Sequence, residues 1–152
     1  VKGPQVMVGY YKNPEATSNV FDEEGWLKTG DLGVKSANGY ITIKGRSKNM
    51  ILGASGQNIY PEEIEARLNN LPYVIESLVV ERQGKLHALI FPDLEKAEKD
   101  GLDKEKIQIE FEKSQKELNK AMPNYMSISK VIIQEEEFIK TPKKSIKRYL
   151  YN

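Results

Sequence analysis

The chain has 152 residues, 39% of them hydrophobic, which is enough for one ordinary domain and a flanking segment. Its 23 lysine and arginine residues nearly balance 22 aspartate and glutamate residues, and the net charge of +1 gives no global field to attract nucleic acid or an anionic membrane. The absence of cysteine excludes disulfides, thiolate nucleophiles and zinc–thiolate sites.

No part of the sequence predicts a membrane span. The longest apolar runs, residues 78–80 and 88–91, are far too short to cross a bilayer. No signal peptide precedes them, and the lack of cysteine suits a reducing compartment. We therefore expect a cytoplasmic protein.

Residues 1–44 are rich in Gly, Asn and Pro, with short apolar stretches between them. This pattern predicts β-structure and loops that lack a core of their own and belong to a larger body. Trp26, in the middle of the segment, is interpreted as core packing. Two short strands, residues 40–43 and 50–52, follow and are predicted to form a hairpin through residues 45–49.

A more regular pattern begins at Pro61, which opens a predicted helix. Apolar residues recur at helical spacing from Ile64 until Pro72 ends the helix. Two β-rich runs, residues 74–81 and 86–91, then predict a second hairpin.

A long second helix follows, capped by Asp103 and stopped by Pro123. Residues 128–133 predict a last strand, and residues 145–151 a final helical turn or two. The single histidine, His87, is interpreted as a partly buried strand residue, and no metal-ligand cluster is apparent. The order of elements predicts a small α/β domain of the α+β type, with a hairpin and helices packed on a mostly antiparallel sheet.

Three motifs follow one another at short range: Gly25-Trp26-Leu27-Lys28-Thr29-Gly30-Asp31, then Gly45-Arg46-Ser47-Lys48-Asn49, then residues 56–65. In this order they resemble the later half of an AMP-forming acyl-CoA synthetase of the adenylate-forming family, and are most similar to the long-chain fatty acid–CoA ligases. Residues 6–17 and Thr141-Pro142 fit the same family. The resemblance therefore covers nearly the whole chain.

The family's phosphate-gripping loop and its adenine motif should lie upstream of Val1. We therefore interpret the chain as the carboxy-terminal piece of a longer enzyme. On this interpretation residues 1–44 are the tail end of the large amino-terminal adenylation domain, and residues 45–152 are the mobile carboxy-terminal domain, which acts as a lid.

The resemblance implies that two residues contact the nucleotide. Asp31 would accept hydrogen bonds from the ribose hydroxyls of ATP, since a carboxylate presents acceptors only. Arg46 would bridge ribose or phosphate oxygens as a planar, permanently charged donor. Judged without the family, Asp31 is an ordinary turn residue and Arg46 a surface arginine.

Two further features are assigned by the same resemblance. Lys48 stands where these enzymes pivot the small domain between an adenylating and a thioester-forming pose, although physics alone favours a solvated turn lysine. Gly53 and Gly56 belong to the loop that lines the pantetheine tunnel in the second half-reaction, and glycine permits a close approach of ligand to backbone. The acidic residues Glu62, Glu63 and Glu65 receive structural roles.

The chain ends in a basic tail that contains Lys140, Lys143, Lys144, Lys147 and Arg148. The resemblance implies that one lysine of this tail is the adenylating lysine. Alignment on Thr141-Pro142, Ile146 and Arg148 places Ser145 at that position, which departs from the family pattern. Lys144 stands one residue earlier, and a local bulge between Pro142 and the terminal helix could absorb the shift. Lys144 is therefore the predicted catalytic lysine, with Lys143 as the second choice.

The implied parent enzyme converts ATP and a fatty acid into acyl-adenylate and pyrophosphate, and then transfers the acyl group to coenzyme A. Mg²⁺ would arrive with ATP and bind groups in the upstream domain. No nucleic-acid partner is expected, while peripheral membrane association stays open. The alternatives are a ligase for an aryl acid or a carrier-protein acceptor, and a non-catalytic interaction module that retains the fold. The fragment alone is expected to be inactive.

Overall fold

A computed structural model describes all residues, 1–152, and divides the chain into two compact units. The first is Val1–Lys48 and the second is Asn49–Asn152. The predicted boundary lay nearby, between residues 44 and 45. The assignment of the two parts to a large domain and a mobile domain stays a prediction.

The first unit contains one helix and one two-stranded sheet. Helix α1 spans Pro14–Val20, and strands β1 and β2 span Asp31–Lys35 and Ile41–Arg46. The side chain of Asn13 caps α1 by accepting a hydrogen bond from the Ala16 N–H (3.0 Å). The prediction of β-structure and loops missed this helix, which is too short to show an apolar period.

The first unit has no hydrophobic core. Gly45 is its only buried residue, and the exposed apolar side chains include Val34, Ile41 and Ile43 of the β1–β2 sheet. This confirms the prediction that the segment lacks a core. The interpretation of Trp26 as core packing was wrong, because 46% of the residue is exposed and the unit offers no interior to bury it.

The second unit contains three helices and two sheets. The strands are β3 Ile51–Leu52, β4 Asn58–Ile59, β5 Val74–Arg82, β6 Lys85–Pro92 and β7 Ile128–Ile133. The helices are α2 Pro61–Leu68, α3 Leu94–Lys99 and α4 Lys104–Ala121. Short 3₁₀ turns occupy Ser47–Asn49, Asn124–Met126 and Arg148–Leu150.

The main sheet has the order β5–β6–β7, with an antiparallel β5–β6 pair and a parallel β6–β7 pair. One face packs against α2 and α4, where Ile64, Phe111 and Ala88 belong to the same core cluster. The other face packs against the carboxy-terminal tail, residues 134–152, where Leu89 and Phe138 belong to a smaller cluster. This arrangement confirms the predicted α+β class, and the predicted hairpin around Gln83-Gly84 is present.

The predicted hairpin between residues 40–43 and 50–52 was wrong. Residues 41–46 form β2, which pairs with β1, while Ile51–Leu52 forms β3, which pairs with β4. The 3₁₀ turn at Ser47–Asn49 separates β2 from β3, so their proximity in sequence does not lead to pairing. Each strand instead pairs with its neighbour inside its own unit.

In the second unit, the helices agree with the sequence apart from two details. Asp103 caps α4 by accepting from the Lys106 N–H (2.9 Å), and the helix stops before Pro123 as predicted. Helix α2 ends at Leu68, earlier than the predicted end at Leu71. Helix α3, capped by Asp93, was missed because its 6 residues carry only one buried side chain, Ala97. None of the helices combines the length and apolar character that a bilayer crossing requires.

We predict that residues 49–152 fold without residues 1–48, because every member of both hydrophobic clusters lies in the second unit. The truncated chain should unfold cooperatively in urea, with nearly the same midpoint as the full chain. Circular dichroism during urea titration of both chains measures this. Non-cooperative unfolding of the truncated chain, or rapid proteolysis within β5–β7, would contradict the prediction.

Candidate functional site

Asp31 and Arg46 lie side by side at the end of the β1–β2 sheet, where the strand register pairs them directly. The Arg46 Nη1 lies 2.7 Å from the Asp31 Oδ1 and also donates to the Thr29 carbonyl oxygen (3.1 Å). The hydrogen bond from Arg46, helped by one from Thr29, lowers the pKa of the Asp31 carboxyl group. Asp31 therefore remains a carboxylate acceptor well below neutral pH.

This pair is accessible to a ligand. The side chains of Arg46 and Asp31 are 48% and 30% exposed, so the ion pair adds little to stability. An exposed acceptor next to an exposed guanidinium is suited to a molecule that carries both hydroxyl groups and phosphate. The structure thus brings together the two residues that the sequence assigned to the nucleotide, while their role stays a prediction.

Lys48 lies at the last position of the first unit, in the middle of the Ser47–Asn49 turn. Its side chain is exposed and forms no hydrogen bond or ion pair. The next residue, Asn49, belongs to the second unit and donates to Glu62 Oε1 at the start of α2 (2.6 Å). Lys48 is thus the final residue before the chain is tied to the second unit.

The glycine loop joins β3 to β4 in a tight turn. The Gly53 N–H donates to the Gln57 carbonyl oxygen, and the Gly56 N–H donates to the Gly53 carbonyl oxygen, both at 2.8 Å. Gly56 has a φ of +81°, a left-handed conformation that favours glycine. A Cβ at Gly53 would lie 3.3 Å from the Gln57 oxygen, so the loop also needs a small residue there.

A pocket of about 600 Å³ lies beside this loop in the second unit. Gly53 and Ser55 line one side, and Tyr125 and Ser127, from the segment that leads into β7, line another. Gly56 does not line the pocket. The loop therefore places one of its two predicted glycines at a cavity and uses the other to form the turn.

Lys144 lies at the tip of a small hairpin in the tail. Lys140 and Ile146 form an antiparallel bridge, and the Thr141 N–H donates to the Ser145 carbonyl oxygen (2.8 Å). The Lys144 N–H closes the turn onto the Thr141 carbonyl oxygen (2.9 Å), and Lys144 has a left-handed φ of 59°. The side chains of Lys143 and Lys144 are exposed and free of partners, whereas the Ser145 backbone is part of the hairpin ladder.

The five basic residues of the tail have different roles. The Lys140 Nζ forms ion pairs with Glu137 and with Glu76 (2.8 Å), and these bonds raise the pKa of Lys140. Arg148 is also paired, as described below. Lys143, Lys144 and Lys147 form no ion pair. The tail is therefore anchored at Lys140 and Arg148 and leaves three lysines available for an anion.

Arg148 anchors the tail to a buried carboxylate. Its Nη2 lies 2.8 Å from Glu65 Oε1, and its Nη1 lies 3.0 Å from Glu65 Oε2. The same residues complete the free edge of β5, because Glu65 Oε1 accepts from the Val79 N–H (2.7 Å) and Arg148 Nη2 donates to the Val79 carbonyl oxygen (3.1 Å). Burial raises the pKa of Glu65, and the Arg148 bonds oppose this shift.

Glu65 was predicted to have a structural role, but its partner Arg148 was not predicted. A signal was present on α2, since Pro61, Ile64, Glu65 and Leu68 follow an i, i+3, i+4, i+7 pattern that places Glu65 on the buried face. A carboxylate at such a position needs a cation. The partner lies 83 residues away, and helical spacing gives no information on it.

The chain matches one known protein family. The family model described as the AMP-binding enzyme C-terminal domain matches residues 48–151. The match begins one residue before the second compact unit.

Two curated plant proteins are similar to the chain. It is 33% identical over 156 residues to 2-methylpropanoate–CoA ligase CCL4 of Humulus lupulus, with 99% of this chain and 26% of that protein covered. It is 40% identical over 111 residues to the chloroplastic long-chain-fatty-acid–[acyl-carrier-protein] ligase AEE15 of Arabidopsis thaliana, with 65% of this chain and 15% of that protein covered. The chain thus spans about a quarter or less of the length of these relatives.

A solved structure has the same fold. The A domain of carboxylic acid reductase from Segniliparus rugosus, in complex with AMP and a co-purified carboxylic acid, is 25% identical. The TM-score is 0.82, and the match covers 98% of this chain and 25% of that one.

We predict that Arg148→Ala lowers the free energy of unfolding by about 3 kcal/mol or more, because it leaves Glu65 buried without its cation. This loss of free energy of unfolding should become smaller as the pH falls, because burial raises the pKa of Glu65 and its protonated form needs no cation. Urea unfolding of the 152-residue chain at several pH values measures both effects.

The matched control is Arg67→Ala, because Arg67 is exposed on α2 and forms no ion pair. It should change the free energy of unfolding by less than about 0.5 kcal/mol. The double variant Glu65→Gln/Arg148→Ala should recover part of the loss. If Arg148→Ala is as mild as Arg67→Ala, the pair is not an anchor.

Proposed function

The chain belongs to the AMP-binding enzyme C-terminal domain family, and on that premise we propose that it supplies the mobile lid of an AMP-forming acid–CoA ligase. The full enzyme would first convert a carboxylic acid and ATP into acyl-adenylate and pyrophosphate. It would then transfer the acyl group to the thiol of coenzyme A and release AMP. This chain contributes the lid, the pivot and part of the nucleotide site, and is inactive alone.

The observation that carries this proposal is the position of the boundary between the units. The family match begins at Lys48, and the second compact unit begins at Asn49. Lys48 is exposed and unpaired, whereas Asn49 is bonded to α2. A change of backbone dihedral angles at Lys48 would therefore move the second unit without breaking side-chain contacts of that lysine.

The lid has a physical purpose in a two-step reaction. One site must exclude water while the acyl-adenylate forms, and must then admit a bulky thiol. Docking one small unit in two poses presents the Lys144 hairpin in the first step and the Gly53–Gly56 loop in the second. These two features belong to different segments of the second unit, which supports separate roles.

The nucleotide contacts come from the other unit. Asp31 would accept from the ribose hydroxyls, and Arg46, held 2.7 Å away, would donate to ribose or phosphate oxygens. No group of three or more His, Asp or Glu side chains could hold a metal ion. We propose that the Mg²⁺ that accompanies ATP binds to residues outside this chain.

We propose a fatty acid as the acid substrate and the cytoplasm as the location. The fatty-acid proposal is supported by the family resemblance of the Gly45–Asn49 motif and by the relative named as a long-chain fatty acid ligase. Another relative is named for 2-methylpropanoate, so the family spans acids of different size. Assay of the longer protein with acids of increasing chain length tests this point.

A second candidate function changes the acceptor and keeps the first half-reaction. One relative is named as a ligase that uses acyl-carrier protein. On this alternative the activated acid is transferred to the thiol of a carrier protein. Comparison of coenzyme A with carrier protein as acceptor, at equal acyl-adenylate supply, separates the two.

We predict that Lys144→Ala, in the longer enzyme, slows acyl-adenylate formation about a hundredfold and spares thioester formation from supplied acyl-adenylate. The reason is that a cation acting on developing phosphate charge contributes about 3 kcal/mol only in the first step. Rapid-quench measurement of each half-reaction gives the two rates. Lys143→Ala tests the second choice, and Lys147→Ala is the matched control, because both lysines are also unpaired.

If only Lys143→Ala slows acyl-adenylate formation, Lys143 is the adenylating lysine. Near-normal adenylation in all three variants would show that the tail is not catalytic and would favour the non-catalytic interaction module.

We also predict that Lys48→Pro slows thioester formation at least about tenfold and changes adenylation little. Proline fixes φ, which restricts the swing between poses and leaves the resting pose in place. The control is Lys48→Ala, which removes the side chain and keeps the backbone freedom. Equal losses in both half-reactions would show that Lys48 is not the pivot.

A further inference from the structure

Four basic side chains lie together at the hairpin end of the β5–β6–β7 sheet. Arg82 pairs with Lys85 across the β5–β6 hairpin, and His87 pairs with Lys130 on β7. Because side chains alternate between faces along a strand, Arg82 shares a face with Val80, and His87 shares it with Leu89. Lys130 lies on the same face of β7 as Ile132. Val80, Leu89 and Ile132 all belong to the smaller cluster under the tail, so the basic residues share that face. We call Arg82, Lys85, His87 and Lys130 the basic end of the sheet.

The basic end has no acidic partner. Lys85 and Lys130 form no ion pair, and the only side-chain bond of Arg82 is to the Tyr151 carbonyl oxygen (3.0 Å). Glu81 lies next to Arg82 but on the opposite face of β5. Neighbouring strands are about 4.8 Å apart, so like charges at directly paired positions oppose one another. An anion at this position would relieve that repulsion.

His87 adds a polar group at the centre of the basic end. Its Nδ1 is enclosed and has no hydrogen-bond partner. The proton of the neutral ring is therefore best held on Nε2, where it can be donated outward, because an N–H at Nδ1 would have no acceptor. Burial lowers the pKa of His87, and the positive charges of Arg82, Lys130 and Lys85 lower it further.

We propose that the basic end of the sheet is a binding site for a phosphate group, either free or as a phosphomonoester. A phosphate dianion carries about two negative charges and three terminal acceptor oxygens, and three cations with one N–H donor on one face match both. Arg82 uses one N–H for the Tyr151 carbonyl oxygen and keeps further N–H donors of its guanidinium for these oxygens. Lys130 and His87 lie on the two neighbouring strands at directly paired positions, from which the ammonium and the Nε2–H can donate to the same anion.

This site is independent of the proposed ligase function. It lies on the tail-covered face of the sheet and contains none of Asp31, Arg46, Lys48, Gly53, Gly56 or Lys144. Lys85 also borders the pocket beside the glycine loop, so its substitution would not separate the two sites. Arg82, His87 and Lys130 do not line that pocket and provide the discriminating variants.

The test is a nuclear magnetic resonance titration of the 152-residue chain with inorganic phosphate, against sodium chloride of equal ionic strength. We expect amide and His87 ring signals at residues 82–87 and 130 to shift with a Kd in the millimolar range. Phosphate should also raise the pKa of His87, whereas chloride should not. Lys130→Gln and Arg82→Gln should each weaken binding about tenfold.

Lys116→Gln is the matched control, because Lys116 is exposed on α4 and unpaired, and it should leave binding unchanged. Amide spectra of each variant establish that the fold is intact before titration. Shifts spread evenly over surface lysines, or equal shifts in chloride, would overturn the proposal. So would unchanged binding in both Lys130→Gln and Arg82→Gln.

A second arm identifies the source of the phosphate group. The chain is sedimented with phosphatidylcholine vesicles with and without phosphatidic acid, whose headgroup is a phosphomonoester. If the chain binds only to the phosphatidic acid vesicles, and if Lys130→Gln abolishes that binding, the site is assigned to a lipid headgroup. Phosphate binding without vesicle binding assigns it to a soluble phosphate compound, and absence of both overturns the site.

Discussion

The second unit depends on how the outer edge of β5 is closed. At Val79 this edge strand has an N–H and a carbonyl oxygen that face away from β6, and Glu65 and Arg148 bind one each. The two side chains also bind each other, so one ion pair joins α2, β5 and the tail. Because the carboxylate is buried, neither residue can be removed alone without leaving a polar group unsatisfied. The same contact fixes the tail and therefore the position of the Lys144 hairpin.

The sequence predicted the elements of the second unit better than their connections. Helix α4 could be predicted because a capping residue, Asp103, an apolar face at helical spacing and a terminating residue, Pro123, all indicate the same helix. The β5–β6 hairpin could be predicted because two β-rich runs flank Gln83-Gly84. The predicted pairing of β2 with β3 was wrong because proximity in sequence does not show that a unit boundary lies between two strands. The partner of Glu65 could not be predicted, since a contact between residues 65 and 148 depends on how the sheet and the tail pack.

The candidate site was predicted by resemblance and not by spacing. Asp31 and Arg46 were chosen separately, and the β1–β2 register then brought them into contact. The sequence could not show this pairing, because the predicted partner of the strand before Arg46 was wrong. Gly53 and Gly56 were grouped as one motif, although one is required by a close contact and the other by its left-handed backbone.

Under the proposed function, Lys144 must meet two demands: its backbone adopts a left-handed conformation, and its side chain supplies a cation. A left-handed conformation costs about 1 kcal/mol for a lysine and little for glycine or asparagine. A protein optimised only to stay folded would favour one of those residues at the tip of the tail hairpin, where the exposed lysine side chain forms no hydrogen bond or ion pair. Folding stability and chemistry would then oppose one another here, as in many active sites, and a stabilised version of this domain would be the one most prone to lose its cation.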